Sequence, residues 1–99
     1  MDSEPISRFS LHDATLEIVS LDWRGGVAEV RLKSASAVVV LRASAVTRLS
    51  CPRLHPWGPS SSVNEVRSSR IARGRYALEI EMQSGDVILI EAGSFTTEA

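Results

Sequence analysis

The feature that most constrains this chain is a strict alternation near its C-terminal end, where Tyr76, Leu78, Ile80 and Met82 interleave with Ala77, Glu79, Glu81 and Gln83. A period of two places alternate side chains on opposite faces of a strand. Ser84-Gly85 then supplies a turn into Asp86 to Ala92, a second apolar run, so the segment reads as an antiparallel hairpin. With Ser84-Gly85 as a two-residue turn, Met82 pairs with Val87 and Ile80 with Leu89. Ile88 and Ile90 then fall on the glutamate face, which predicts that something covers that face, either the rest of the fold or a second copy of the chain.

A second hairpin is signalled between Ala14 to Trp23 and Val27 to Lys33 by Arg24-Gly25-Gly26. Taking Gly25-Gly26 as the turn sets Trp23 opposite Ala28, Leu21 opposite Val30 and Val19 opposite Leu32. The same register puts Asp22 opposite Glu29, a like-charge pair that needs solvent or a neighbouring arginine. Leu16 and Ile18 are out of phase with Val19 and Leu21, which predicts a β-bulge near the start of the first strand.

Ser36 to Ala43 is apolar on both faces and reads as a central strand. Three prolines and a glycine make Pro52 to Ser62 a loop. Residues 63–72 read as strand, with a short helix as the exception, because Ser62-Val63-Asn64-Glu65 resembles a capping box and Gly74 a helix stop. Residues 1–8 and 94–99 are expected to be flexible ends.

With 99 residues there is room for one core, and 43% hydrophobic with 23% charged residues fits a globular chain. The fold expected is a mainly β single domain, a small antiparallel barrel or sandwich of six or seven strands. A domain this small gains from self-association, so a homodimer is expected as one form. A formal net charge of -1 offers no global field for nucleic acid or anionic membrane. Cys51 is alone, so no intramolecular disulfide forms. The acidic opening Met1-Asp2-Ser3-Glu4-Pro5 is not a signal sequence, and the apolar run Ala37 to Leu41 is far short of the roughly 20 residues of a membrane-spanning helix. The expected location is cytoplasmic.

Candidate chemistry is sparse. His12-Asp13 pairs an imidazole with a carboxylate, but neighbours on an extended chain point apart; His12 bonded to backbone and Asp13 at a turn is the plainer expectation. Cys51, His55 and His12 offer three zinc-type ligands or a Cys/His pair without the paired short spacing of zinc sites. Arg53, Arg67, Arg70, Arg73 and Arg75, with His55 and Trp57 nearby, form a basic stretch able to hold phosphate or stacked bases, unless Glu79, Glu81, Asp86 and Glu91 neutralise it. Trp57 is either core or a contact anchor in its loop. There is no phosphate-binding glycine loop and no nucleophile elbow, so neither catalysis nor a cofactor is indicated.

Leu11-His12-Asp13-Ala14-Thr15-Leu16, followed by a strand ending in Asp22-Trp23, resembles the His-Asp-Ala opening of small bacterial proteins, some of them similar to immunity proteins of polymorphic toxin systems. Pro56 to Ser60 and Glu81 to Asp86 resemble segments of the same group. The resemblance implies a compact β-rich bacterial domain that binds a protein partner. The function expected is therefore a non-catalytic module binding a protein or small ligand, with Trp57, Arg53, His55, Arg67, Arg70, His12 and Asp13 as candidate contacts. A small metal-dependent or Cys/His enzyme and a single-stranded nucleic-acid binder are the alternatives.

Overall fold

In a computed structural model, which describes residues 11–34, 37–54 and 61–98, the chain forms two four-stranded antiparallel sheets around one core. The strands are β1 (Thr15–Asp22), β2 (Val27–Ser34), β3 (Ala37–Ser44), β4 (Arg48–Ser50), β5 (Val63–Ala72), β6 (Arg75–Met82), β7 (Val87–Ala92) and β8 (Ser94–Glu98). One sheet has the order β1-β2-β3-β8 and the other β4-β7-β6-β5, so the strands do not close into a barrel. Leu32, Leu41, Val30 and Val39 from the first sheet meet Leu78, Ile80, Ile88 and Ile90 from the second, all at most 2% exposed.

The C-terminal hairpin forms where alternation requires it, but in a register one residue away from the expected one. Ile80 pairs with Ile88 and Leu78 with Ile90. Gln83, Ser84 and Gly85 together make the turn, closed by Gly85 N–H donating to the Met82 carbonyl at 2.9 Å and Met82 N–H donating to the Asp86 carbonyl at 2.8 Å. Gly85 has φ of 100°, a conformation that glycine adopts without Cβ strain. A one-residue shift exchanges the two faces of a strand. Ile88 and Ile90 therefore point into the core, and the expectation of a cover for apolar side chains on the glutamate face is withdrawn for them.

The first hairpin shifts by two residues, which keeps the faces intact: Leu21 pairs with Ala28 and Val19 with Val30, leaving Trp23-Arg24-Gly25-Gly26 as the turn. The bulge expected near its start lies between Leu16 and Ile18. Glu29 faces Ser20 rather than Asp22, and on its other side Arg42, whose Nε donates to it at 2.8 Å. The neighbouring arginine is thus present, although the like-charge pair is not.

Residues 63–72 are strand, not helix, and pair along the whole of β6. Ser62 bridges to Thr15 and Glu65 lies beside Arg67 instead of closing a capping box, Asn64 donates across the sheet to Glu81, and Gly74, with φ of 70°, sits in the β5–β6 turn. The expectation of a free tail at 94–99 is corrected most clearly. β8 pairs with β3 from Ser44↔Ser94 to Val40↔Glu98, and Phe95 is 2% exposed. This tail is the eighth strand beyond the six or seven expected. Gly93 alone carries the chain from one sheet to the other, and a Cβ there would lie 3.1 Å from that of Ala45.

Candidate functional site

The two sheets leave a seam between their edge strands β1 and β4. A groove of about 410 Å³ opens there, floored by Leu16, Val19, Met82 and Ile88 and walled by Glu17 on one side and Cys51, Pro52 and Arg53 on the other. A second hollow of about 250 Å³ lies between Leu21 and Trp23 on the β1 side and Arg48 and Leu49 on the β4 side. The pairing of wall residues shows that β1 and residues 48–53 run antiparallel to each other along one seam, yet they belong to different sheets and are not hydrogen-bonded.

Local chemistry explains the groove. The bulge at Glu17 breaks the β1 register, and Leu16 N–H turns aside to donate to the Ser61 carbonyl at 2.7 Å. β4 ends at Ser50 because Pro52 cannot donate to a ladder. Beyond it the wall is held by Asp86, 9% exposed, whose carboxylate accepts from Leu54 N–H at 3.2 Å and from the Ser84 hydroxyl at 3.0 Å. A buried carboxylate with charge-assisted bonds of this kind anchors the 51–54 segment to the β6–β7 turn.

Of the six large hydrophobic side chains exposed among the described residues, three border this seam: Leu21 (37%) and Trp23 (87%) on or just after β1, and Leu54 (81%) at the end of the opposite wall; Ile18 lies on the outer face of the first sheet with Ser20, Glu29, Arg31 and Val40.

The residues expected to form a site are dispersed. Arg53 and Cys51 line the groove. His55 and Trp57 lie outside the described residues. His12 and Asp13 do not line the groove; they latch the entry segment to the start of β5. His12 Nδ1 donates to the Asn64 carbonyl at 2.7 Å, and Asp13 accepts from the Gln83 amide. Their flanking residues Leu11 and Ala14 are buried in the core. Because Asp13 has a positive φ of 68°, the chain bends and brings its carboxylate 3.6 Å from His12 Nε2, closer than extended neighbours would come.

Arg67 is held by carboxylates. Its guanidinium lies 3.3 Å from Glu65, 3.2 Å from Glu79 and 2.9 Å from Glu81. These bonds raise the Arg67 pKa, through Glu81 first and Glu79 next, and Arg67 and then Asn64 lower that of Glu81. Arg75 donates to the Ala45 carbonyl at 3.1 Å and to the Thr47 hydroxyl, and Arg70 donates to the Ala72 carbonyl at 3.5 Å. Of the basic stretch seen in sequence, Arg67 is neutralised by Glu79 and Glu81 as expected, while Arg70 and Arg75 bond uncharged carbonyl and hydroxyl groups.

No three His, Cys, Asp or Glu side chains converge as metal ligands among the described residues. No helix among them is long and apolar enough to cross a membrane. The chain matches no model of a known protein family, and comparison with curated proteins finds no match. Of the groove residues, Cys51 and Arg53 were candidates in the sequence; the polar Glu17, Ser61, Ser84 and Asp86 and the apolar floor were not. Asp86 meets Leu54 across 32 positions, and no local pattern encodes that meeting.

Proposed function

We propose that this protein is a non-catalytic binding module that holds a segment of a partner protein in the seam between β1 and β4. The observation that carries this reading is the clustering of Leu21, Trp23 and Leu54 beside a groove whose floor is continuous with the core. Exposed apolar groups gathered around a concave site mark an interaction surface, whereas scattered ones do not. Trp23 at the hairpin tip is a rigid aromatic anchor of the type that dominates interface energetics. The two sheets behave here as the facing layers of an open sandwich, which leaves the seam accessible. An immunity-like inhibitor, as the Leu11–Leu16 resemblance implies, is a narrower form of the same reading.

The test places a photo-crosslinking residue at Leu54 and, as a control, at Lys33 on the outer face of β2, and identifies the crosslinked protein by mass spectrometry. A partner captured from Leu54 and not from Lys33 is then purified, and its Kd is measured against wild type and Trp23→Ala. We expect a weakening of about tenfold or more. Capture from Lys33 alone, or an unchanged Kd in Trp23→Ala, places the interface elsewhere.

A further inference from the structure

We infer that the partner segment is acidic, and that its carboxylates meet the end of the sandwich onto which the seam opens between Trp23 and Arg48. This deepens the binding reading above and rests on it. The antiparallel ladders bring the last residues of β1, β3, β5 and β7 and the first of β2, β4, β6 and β8 to that end. The turns there are tied to one another: Val46 N–H donates to the Gly26 carbonyl at 2.9 Å, Arg75 donates to the Ala45 carbonyl at 3.1 Å, and Arg75 pairs with Ala72. This end carries Arg24, Arg48, Arg70, Arg73 and Arg75 against the carboxylates of Asp22 and Glu91. Glu91 lies 3.8 Å from Arg48, and Asp22 accepts from Gly25 N–H at 3.2 Å. Among the described residues, no carboxylate lies within ion-pair distance of Arg24, Arg70, Arg73 or Arg75. The excess of cations is local, since along the strands Arg42 has Glu29 at 2.6 Å and Arg67 has its three glutamates.

Unpaired arginines gathered at one end of a chain that is near neutral overall give a local field that favours an anionic partner. The adjoining hollow decides the class of that partner. Leu21 and Trp23 stand across from Arg48 and Leu49 over about 250 Å³, so apolar groups have to fill a recess within reach of the arginines. A bilayer presents a plane, which meets the turns and leaves the recess empty. A single-stranded nucleic acid gains affinity by stacking bases on aromatic faces, and Trp23 is the one aromatic among the large exposed hydrophobics of the described residues. A peptide with apolar side chains beside aspartates or glutamates satisfies both the recess and the field. Farther along the seam Glu17 and Arg53 stand on opposite walls, so acidic residues are called for only where the segment leaves between Trp23 and Arg48.

The experiment uses the full chain, carrying the crosslinking residue at Leu54, and twelve-residue peptides selected against it at low salt from a displayed random library. Extended, twelve residues span roughly 40 Å, enough to reach from Leu54 past Arg48. We expect the selected peptides to crosslink at Leu54 and to carry Asp or Glu beside apolar residues. Their Kd should weaken about tenfold or more in Arg24→Glu/Arg73→Glu, and also in wild type at high salt. Both positions lie in exposed turns; Arg24→Gln/Arg73→Gln, which removes the charge without reversing it, should give an intermediate loss at an unchanged thermal midpoint. Peptides that crosslink at Leu54 but are not acidic, or whose Kd is indifferent to charge reversal, overturn this inference and leave the seam reading standing. Acidic peptides that charge reversal releases but that never crosslink at Leu54 overturn the seam reading and leave the arginine end as a site by itself. Selection of no peptide overturns both. Vesicles containing phosphatidylglycerol, or single-stranded oligothymidylate, bound more tightly than any peptide and released by the same reversal, assign the arginines to another class of partner and overturn the inference.

Discussion

At the scale of single residues, the buried polar side-chain atoms among the described residues divide into those with hydrogen-bond partners and one without. The Oγ1 of Thr97 is buried and has no hydrogen-bond partner, while the hydroxyl of Ser84 is used twice by Asp86. A buried unsatisfied hydroxyl bears its desolvation cost without compensation. Thr97→Val keeps the shape and removes that hydroxyl, so it is expected to raise stability by about 1 kcal/mol; a lower urea midpoint in Thr97→Val counts against the assignment. Arg67 is the opposite case, one cation serving three carboxylates. Because Arg67 holds the Glu81 pKa below its ordinary value, the pair contributes stability above the unfolded carboxylate pKa, and this is lost as pH falls through the depressed folded value. Arg67→Ala should therefore destabilise at about pH 7, and the deficit should shrink at an acid pH well below the ordinary carboxylate value. Urea midpoints at the two pH values check this, and an equal deficit at both would show that Arg67 acts through packing.

At the scale of elements, the strands were legible in the sequence and their registers less so. Alternation through Tyr76 to Met82 and the breaker at Gly85 located the last hairpin, but a turn of two residues and a turn of three leave the same local signal. The choice between them is made by the opposite sheet, where Leu32 and Leu41 need Ile88 and Ile90 inward. The bulge at Glu17 was legible because a phase change is a local pattern. The strand at β8 was not, since Ser94 to Glu98 carries a single large apolar residue and gains its order from pairing with β3. That pairing makes Phe95 a closing piece of the core. Phe95→Ala is expected to cost about 3–5 kcal/mol, a large share of what a domain of this size has. A thermal midpoint within a degree or two of wild type would return residues 94–98 to the status of a tail.

At the scale of the whole molecule, the seam is where two sheets fail to meet, and it is the part of the site least visible in sequence. Its walls come from residues 16–23 and 48–54 and its floor from residues 82–88, stretches that look like ordinary strand and loop until the topology sets them together. The sequence pointed to Arg53 and to the loop that follows it because prolines, an arginine and a tryptophan cluster there, a signal of composition. It could not show that β1 stands across from Cys51, Pro52 and Arg53, because that is a property of sheet order. The single cysteine offers a direct check on this geometry, since Cys51 is exposed and lines the groove while the chain has no other thiol. Native protein should react with iodoacetamide at Cys51 at a rate unaffected by low concentrations of urea, because access needs no unfolding. Val19→Phe projects a larger apolar side chain into the space beside Cys51, adding buried apolar area with room to receive it. It should slow alkylation, while the thermal midpoint holds or rises. If alkylation of wild type instead tracks global unfolding, or if Val19→Phe leaves the alkylation rate of Cys51 unchanged, then β1 and the 51–54 wall do not enclose one groove.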